Sequence, residues 1–175
     1  MSRTLRFVPL ALLLAFIGFV AWRMANPADT VIRSRLEGKP IPAFTLPAAL
    51  PGRATLSSAD LATGQPRLVN IFASWCVPCI AEAPVLEDLQ RRGVKIDGIA
   101  IRDTPSAVAA FFDRHGNPYA RIGSDRNSSI QLAMGSVGVP ETFIIDGKGV
   151  IRFQHIGPIK PEDVPGILAK LEEVR

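Results

Sequence analysis

The chain has little of what most catalytic and binding chemistries need. Its 175 residues hold two cysteines, two histidines, two tryptophans and one tyrosine. A zinc site built on Cys76 and Cys79 would need two further ligands. The remaining soft candidates, His115 and His155, stand 40 positions apart and fit no ordinary His-rich half-site. No run of Lys or Arg and no interleaving of aromatic with basic residues occurs, which argues against a single-strand nucleic-acid surface. The formal charge of +4 gives duplex binding little support either. Arg3, Arg6 and Arg23 flank the N-terminal apolar run and leave about +1 for the remainder. Internal repeats and low-complexity tracts are also missing. What is present, 47% hydrophobic and 21% charged residues, suits one globular domain with an appendage.

The appendage is the N-terminus. Arg3 and Arg6 precede an uncharged run from Phe7 to Trp22, which as a helix would span about 24 Å, slightly short of a bilayer core. No small-x-small cleavage pair follows, since Ala21 pairs with Arg23 and Ala25 with Pro27. The expectation is an uncleaved transmembrane anchor over 1–24, with Arg23 snorkelling, a polar tether over 25–39 and a folded domain over 40–175. A basic N-terminus resists translocation, so the domain would lie across the membrane in an oxidising compartment.

Within the domain, KPIPAFTLPAAL reads as extended edge structure because of its prolines at 40, 42 and 47. TLSSADLATGQP reads as a loop or short helix. RLVNIFA (67–73) and VKIDGIAI (94–101) read as buried strands. Between them CVPCIAEAPVLEDLQRRG reads as a helix, kinked by Pro84 and ended by Gly93. PSAVAAFFDRHG (105–116) is a second helix with Phe111 and Phe112 in the core. An extended piece near 119–122 and a helix near 128–134 follow. TFIIDGKGVIRFQHI is a hairpin turned by Asp-Gly-Lys-Gly, and an amphipathic helix closes the chain. Strands joined by helical crossovers, then a hairpin, predict an α/β fold: a central mixed β-sheet flanked by helices on both faces.

The two cysteines sit in WCVPC. A structural disulfide between residues three apart closes too small a loop to restrain the unfolded chain much. A redox couple has a mechanism. If the strand ends at 73 or 74 and the helix starts at 76, the first sulfur lies beside unpaired helix N–H groups and the positive end of the dipole, which stabilise a thiolate. Cys76 would then be the nucleophile and Cys79, one turn on, the resolving thiol. Pro78 lacks an amide that would be orphaned there anyway and stiffens the turn.

Residues 67–91, with WCVPC and Pro84 five positions after Cys79, resemble the thioredoxin pattern, and Val139-Pro140 before a strand resembles its cis-proline loop. Within that superfamily the chain is most similar to the membrane-anchored cytochrome c biogenesis proteins called DsbE or CcmG. The segments concerned are LEGKPIPAFTLP (36–47), WCVPC with Ala81-Glu82, GNPYA (116–120) and GSVGVPETFIIDGKGVIR (135–152). WCVPC alone also occurs in the TlpA and ResA types. The resemblance implies a thioredoxin-like fold with a cis bond at Pro140 and a dithiol reductant in cytochrome c maturation. Such a protein keeps the CxxCH thiols of apocytochrome c, or a partner thiol protein, reduced. A DsbD or CcdA type membrane reductase would supply electrons, and the domain would face the periplasm from the inner membrane. The chain has no CxxCH of its own, as fits a helper. No cofactor, no metal and no nucleic acid is implied.

The resemblance also assigns residues. Val139 and Pro140 would align an extended partner strand, and Trp75 would offer it an apolar contact. Asn70 stands where thioredoxin has a buried carboxylate thought to deprotonate the second cysteine, and an amide cannot take a proton. Glu82, three residues after Cys79, is the first candidate for that role and Glu141 the second. Two alternatives are a TlpA-like reductant for copper-site assembly and a non-catalytic tethered module that binds haem or metal.

Overall fold

The computed structural model describes residues 7–25 and 36–175. The chain divides into two units, Met1–Ile32 and Arg33–Arg175. In the first, helix α1 runs Val8–Ala25 with its apolar side chains exposed, Phe7, Leu12 and Phe16 among them. No helix among the described residues is long and apolar enough to cross a membrane, so the expected anchor over 1–24 is not shown by α1. Arg23 falls within the last turn of α1, and the uncharged part before it is about 24 Å long against a hydrocarbon core of ~30 Å. Arg3, Arg6 and most of the expected tether lie outside the described residues.

In the second unit the prolines of 40–47 leave only a two-residue strand, β1 (Thr45–Leu46), paired antiparallel with β2 (Leu56–Ser57). A 3-10 turn, Ser58–Leu61, follows. The expected buried strands appear as β3 (Arg67–Phe72) and β4 (Ile96–Ile101), and the helix between them is α2 (Val77–Arg91). It continues through Pro84, whose missing amide leaves one carbonyl of the ladder without its usual partner. Helix α3 (Pro105–His115) is capped by the Thr104 hydroxyl. Next come β5 (Ile122–Asp125), α4 (Ser129–Ala133), β6 (Glu141–Ile145), β7 (Ile151–Ile156), a 3-10 turn at Pro161–Asp163 and α5 (Val164–Glu173).

Five strands form one mixed sheet in the order β5-β4-β3-β6-β7. The β5-β4-β3 part is parallel, whereas β6 and β7 are antiparallel to their neighbours. The central strand β3 is buried from Leu68 onward, which is why it reads as an unbroken apolar run apart from Asn70. Alternation puts Leu68, Asn70 and Phe72 on one face. Leu68 packs with Leu86 and Leu89 of α2 and with Ile167 and Leu171 of α5. Phe72 packs on Phe111 of α3. The three longer helices of this unit therefore share that face. On the opposite face β1 and β2 close over β5, where a side chain on Gly123 would meet Leu46 at 2.8 Å and Leu56 at 3.2 Å.

The extended piece expected near 119–122 becomes a strand only from Ile122. The Tyr119 ring is used in packing: it stacks on Phe72 with centroids 4.9 Å apart and planes 13° apart. Gly98 on β4 makes room, since a Cβ there would lie 3.0 Å from both rings. The hairpin turn is held as its sequence suggested. Asp146 accepts from the amides of Lys148 and Val150, both at 2.9 Å.

Candidate active site

Strand β3 delivers the chain to the cysteines through a turn that Asp103 clamps. Its carboxylate, two residues past the end of β4, accepts from the Ser74 amide at 2.7 Å and from the Ser74 hydroxyl at 2.6 Å. Cys76 is the N-cap of α2, with Val77 and Pro78 as the first two helical residues. Its sulfur accepts from the Cys79 amide at 3.2 Å, one of the orphan donors of the helix start. Cys76 and Cys79 are joined by a disulfide, and both are buried. Trp75 is 56% exposed and Val77 73%, so the pair is rimmed by apolar side chains open to solvent. That exposure places Trp75 outside the core.

The second wall is the loop leading into β6. The Val139–Pro140 bond is cis. Pro140 is buried, Val139 half-buried and Val137 exposed. Glu141 is only 1% exposed, and both its oxygens are engaged. One accepts from the amides of Val137 and Gly138, each at 3.0 Å, and the other from the Gln154 side chain on β7. In this geometry the carboxylate pins the loop ahead of Pro140.

Behind the cysteines lies a buried polar cluster. Asn70, in register with Gly98 of β4 and Thr142 of β6, is fully buried at the centre of the sheet. Its NH2 group donates to Glu82 and to the Thr142 hydroxyl, both at 2.9 Å. Its oxygen accepts from the Tyr119 hydroxyl at 2.7 Å. Glu82 is 1% exposed, and its second oxygen accepts from the Ile159 amide beyond β7 at 3.0 Å. Burial pushes the Glu82 carboxyl up to about 7, with the bonds from Ile159 and Asn70 opposing the rise. Burial, and after it the Glu82 charge, push the Tyr119 phenol well above its ordinary value, so it remains a donor.

Two expectations about acids are thus separated by the structure. Glu82 is buried one turn beyond Cys79, poised between charged and neutral at neutral pH. Glu141 is buried too, with one oxygen bonded to the loop amides of Val137 and Gly138 and the other to Gln154 on β7. Sequence reasoning missed Tyr119, Thr142, the Ile159 amide and Asp103. GNPYA, which contains the chain's one tyrosine, was the signal for the first. Among the described residues no group of three or more His, Cys, Asp or Glu could hold a metal ion.

The family model Redoxin matches residues 36–171. The chain is 38% identical to the thiol:disulfide interchange protein HelX of Rhodobacter capsulatus over 164 residues, covering 94% of this chain and 92% of that one. It is 43% identical to the thiol:disulfide interchange protein DsbE of Pseudomonas fluorescens biotype C over 160 residues, covering 91% and 88%. Among solved structures, a thiol:disulfide interchange protein of the thioredoxin family from Chlorobium tepidum superposes with a TM-score of 0.61 at 26% identity, covering 77% and 94%. A secreted thiol-disulfide isomerase from Corynebacterium glutamicum shares the fold, with a TM-score of 0.64 at 19% identity over 75% and 85%. A disulfide-linked cysteine pair at a helix start and a cis-proline before β6, on a chain matched over most of its length by these relatives, fix the kinship: the chain belongs to the redoxin family, among the thiol:disulfide interchange proteins of the DsbE and HelX type.

Proposed function

We propose that this chain is a thiol-disulfide oxidoreductase that works as a dithiol reductant in cytochrome c maturation. The observation that carries the chemistry is the Cys76–Cys79 pair at the N-cap of α2 with a buried carboxylate one turn behind it. In the reduced protein the Cys76 thiolate attacks one sulfur of a partner disulfide. That bond breaks, a Cys76–partner disulfide forms, and the partner's other sulfur leaves as a thiolate and takes up a proton. Cys79 then gives its proton to Glu82 and attacks the Cys76 sulfur. The partner's second thiolate departs, and the proton held by Glu82 passes to it. The partner has gained two electrons and two protons, and this chain is left as the Cys76–Cys79 disulfide.

An extended partner segment would pair with the backbone at Val139 ahead of Pro140 and lie against Trp75. Carboxylates close to the couple make thiolate at Cys76 less favourable and so favour giving electrons away. The assignment of apocytochrome c CxxCH thiols, or of a maturation thiol protein, as substrate is supported by the kinship and by the GNPYA and GVPET segments. An electron donor of the DsbD or CcdA type completes the cycle. The basic residues around α1 support an N-terminal anchor in the inner membrane over 1–24, a tether over 25–39 and a periplasmic domain over 40–175.

Cys79→Ser is expected to stop turnover at the mixed disulfide, because no resolving thiol remains. Non-reducing electrophoresis and mass spectrometry of the captured species should then identify apocytochrome c or a cytochrome-maturation thiol protein. Capture of copper-site proteins alone would move the assignment to a copper-assembly reductant, and maturation activity surviving in Cys76→Ser would sink the redox reading altogether.

A further inference from the structure

The Asn70 amide can occupy its place in two orientations related by a flip, and only one presents NH2 to Glu82. An ionised carboxylate accepts hydrogen bonds and cannot donate, so it requires that orientation. A protonated carboxyl accepts either one, because its O–H can donate to the amide oxygen. The Thr142 hydroxyl, 2.9 Å from Asn70 on the same face, is indifferent, since it both donates and accepts.

Tyr119 is not indifferent. Its ring packs against both Phe72, at 4.9 Å, and Phe112, at 5.8 Å, which also touch each other, and this three-ring cluster fixes where its hydroxyl ends. That hydroxyl donates to the Asn70 oxygen at 2.7 Å. Flipping the amide would turn NH2 toward the phenol and leave the phenolic proton among aromatic rings with its acceptor gone, a costly loss in a buried site. We propose that Tyr119 is a positioning residue for thiol–disulfide exchange: its hydroxyl locks the Asn70 amide with NH2 toward Glu82, and so keeps that carboxylate ready to take the proton of Cys79. The inference rests on the role given to Glu82 under the proposed function.

Ionisable groups on the surrounding elements are few. Cys79 shares helix α2 and is bonded to Cys76 here. Tyr119 precedes β5. On β7, His155 lies in register with Thr142, and its ring nitrogen is 3.9 Å from Asp163 in the following 3-10 turn. β3 and β6 present Asn70 and Thr142, which do not titrate. None of these adds a bond to Glu82 beyond those from Asn70 and Ile159.

The test is Tyr119→Phe, which keeps both ring contacts and removes the one hydroxyl. In the oxidised protein, carbon-detected NMR of the Glu82 carboxyl should show its midpoint rise from about 7 by about half to one pH unit, the equivalent of one lost hydrogen bond. The pH profile of partner reduction should move to higher pH with it. In an Asn70→Ala background the same substitution should add no further shift. An unmoved Glu82 midpoint in Tyr119→Phe, or an equal shift without Asn70, overturns the inference about Tyr119. If instead Glu82→Gln leaves the exchange profile unchanged across the neutral range, the role of Glu82 itself is overturned, and the purpose of the lock with it.

Discussion

The oxidised protein is expected to lose stability on the order of 3 kcal/mol as the pH rises from about 4.5 to about 7, the two positions of the Glu82 carboxyl without and with burial. The sign follows from proton counting. In this window the unfolded chain has released the Glu82 proton and the folded chain still holds it, so raising the pH favours the unfolded state. The contribution is fully present below 4.5 and is lost as the pH passes through about 7. Asp97, also raised by burial, acts in the same direction from a lower starting point. Asp60, lowered chiefly by its bond from the Ser57 hydroxyl, and Asp146, where burial raises the carboxyl but the bonds from Val150, Arg152 and Lys148 together outweigh it, act oppositely. Urea denaturation at a series of pH values measures the slope. In Glu82→Gln the curve should be nearly flat between pH 5 and 7, within about 1 kcal/mol. Equal slopes in the two proteins would show that Glu82 is not the group responsible.

That Glu82 is buried was readable in part. On α2 the buried positions are Cys79, Glu82, Ala83, Leu86 and Leu89, a stripe at helical spacing that a sequence displays directly. A charged residue on such a stripe pulls against the usual rule for acids, and the conflict is resolved only by partners distant in sequence. Asn70 is 12 residues from Glu82 and the Ile159 amide 77. Local pattern was enough for β3, for both flanking helices and for the hairpin, because apolar runs, Thr104-Pro105 and Asp-Gly-Lys-Gly each encode their own geometry. It failed at Tyr119, whose ring is placed by a missing side chain on Gly98 and whose hydroxyl reaches a residue 49 positions away. The anchor is a separate matter. Charge asymmetry about an apolar run suggests an orientation, whereas spanning depends on length and apolarity together, and no helix among the described residues shows enough of both.

Glu141 provides the sharper contrast between two roles for one carboxylate. Glu141→Ala should destabilise the protein by roughly 2 to 4 kcal/mol, because three hydrogen bonds to a buried carboxyl group are lost and their donors are stranded. The exposed Val137 can turn its amide to water, which places the expectation below the sum of three full bonds. The loop carrying Val139 would then be free to drift, and a misplacement of about 1 Å at a partner-aligning strand costs on the order of 100-fold in rate. Glu141→Gln separates pinning from proton transfer. Its carbonyl can still accept from Val137 and Gly138, and the Gln154 amide can flip to present its oxygen to the new NH2. Stability and partner reduction should therefore return to within about 1 kcal/mol and a few-fold of the parent. Were Glu141 a proton acceptor for Cys79, the amide would be as damaging to turnover as alanine while leaving stability intact. Denaturation together with stopped-flow reduction of a CxxCH peptide disulfide decides between them. The bonding of both carboxylate oxygens to the loop and to β7 predicts that stability and rate fall together in Ala and recover together in Gln.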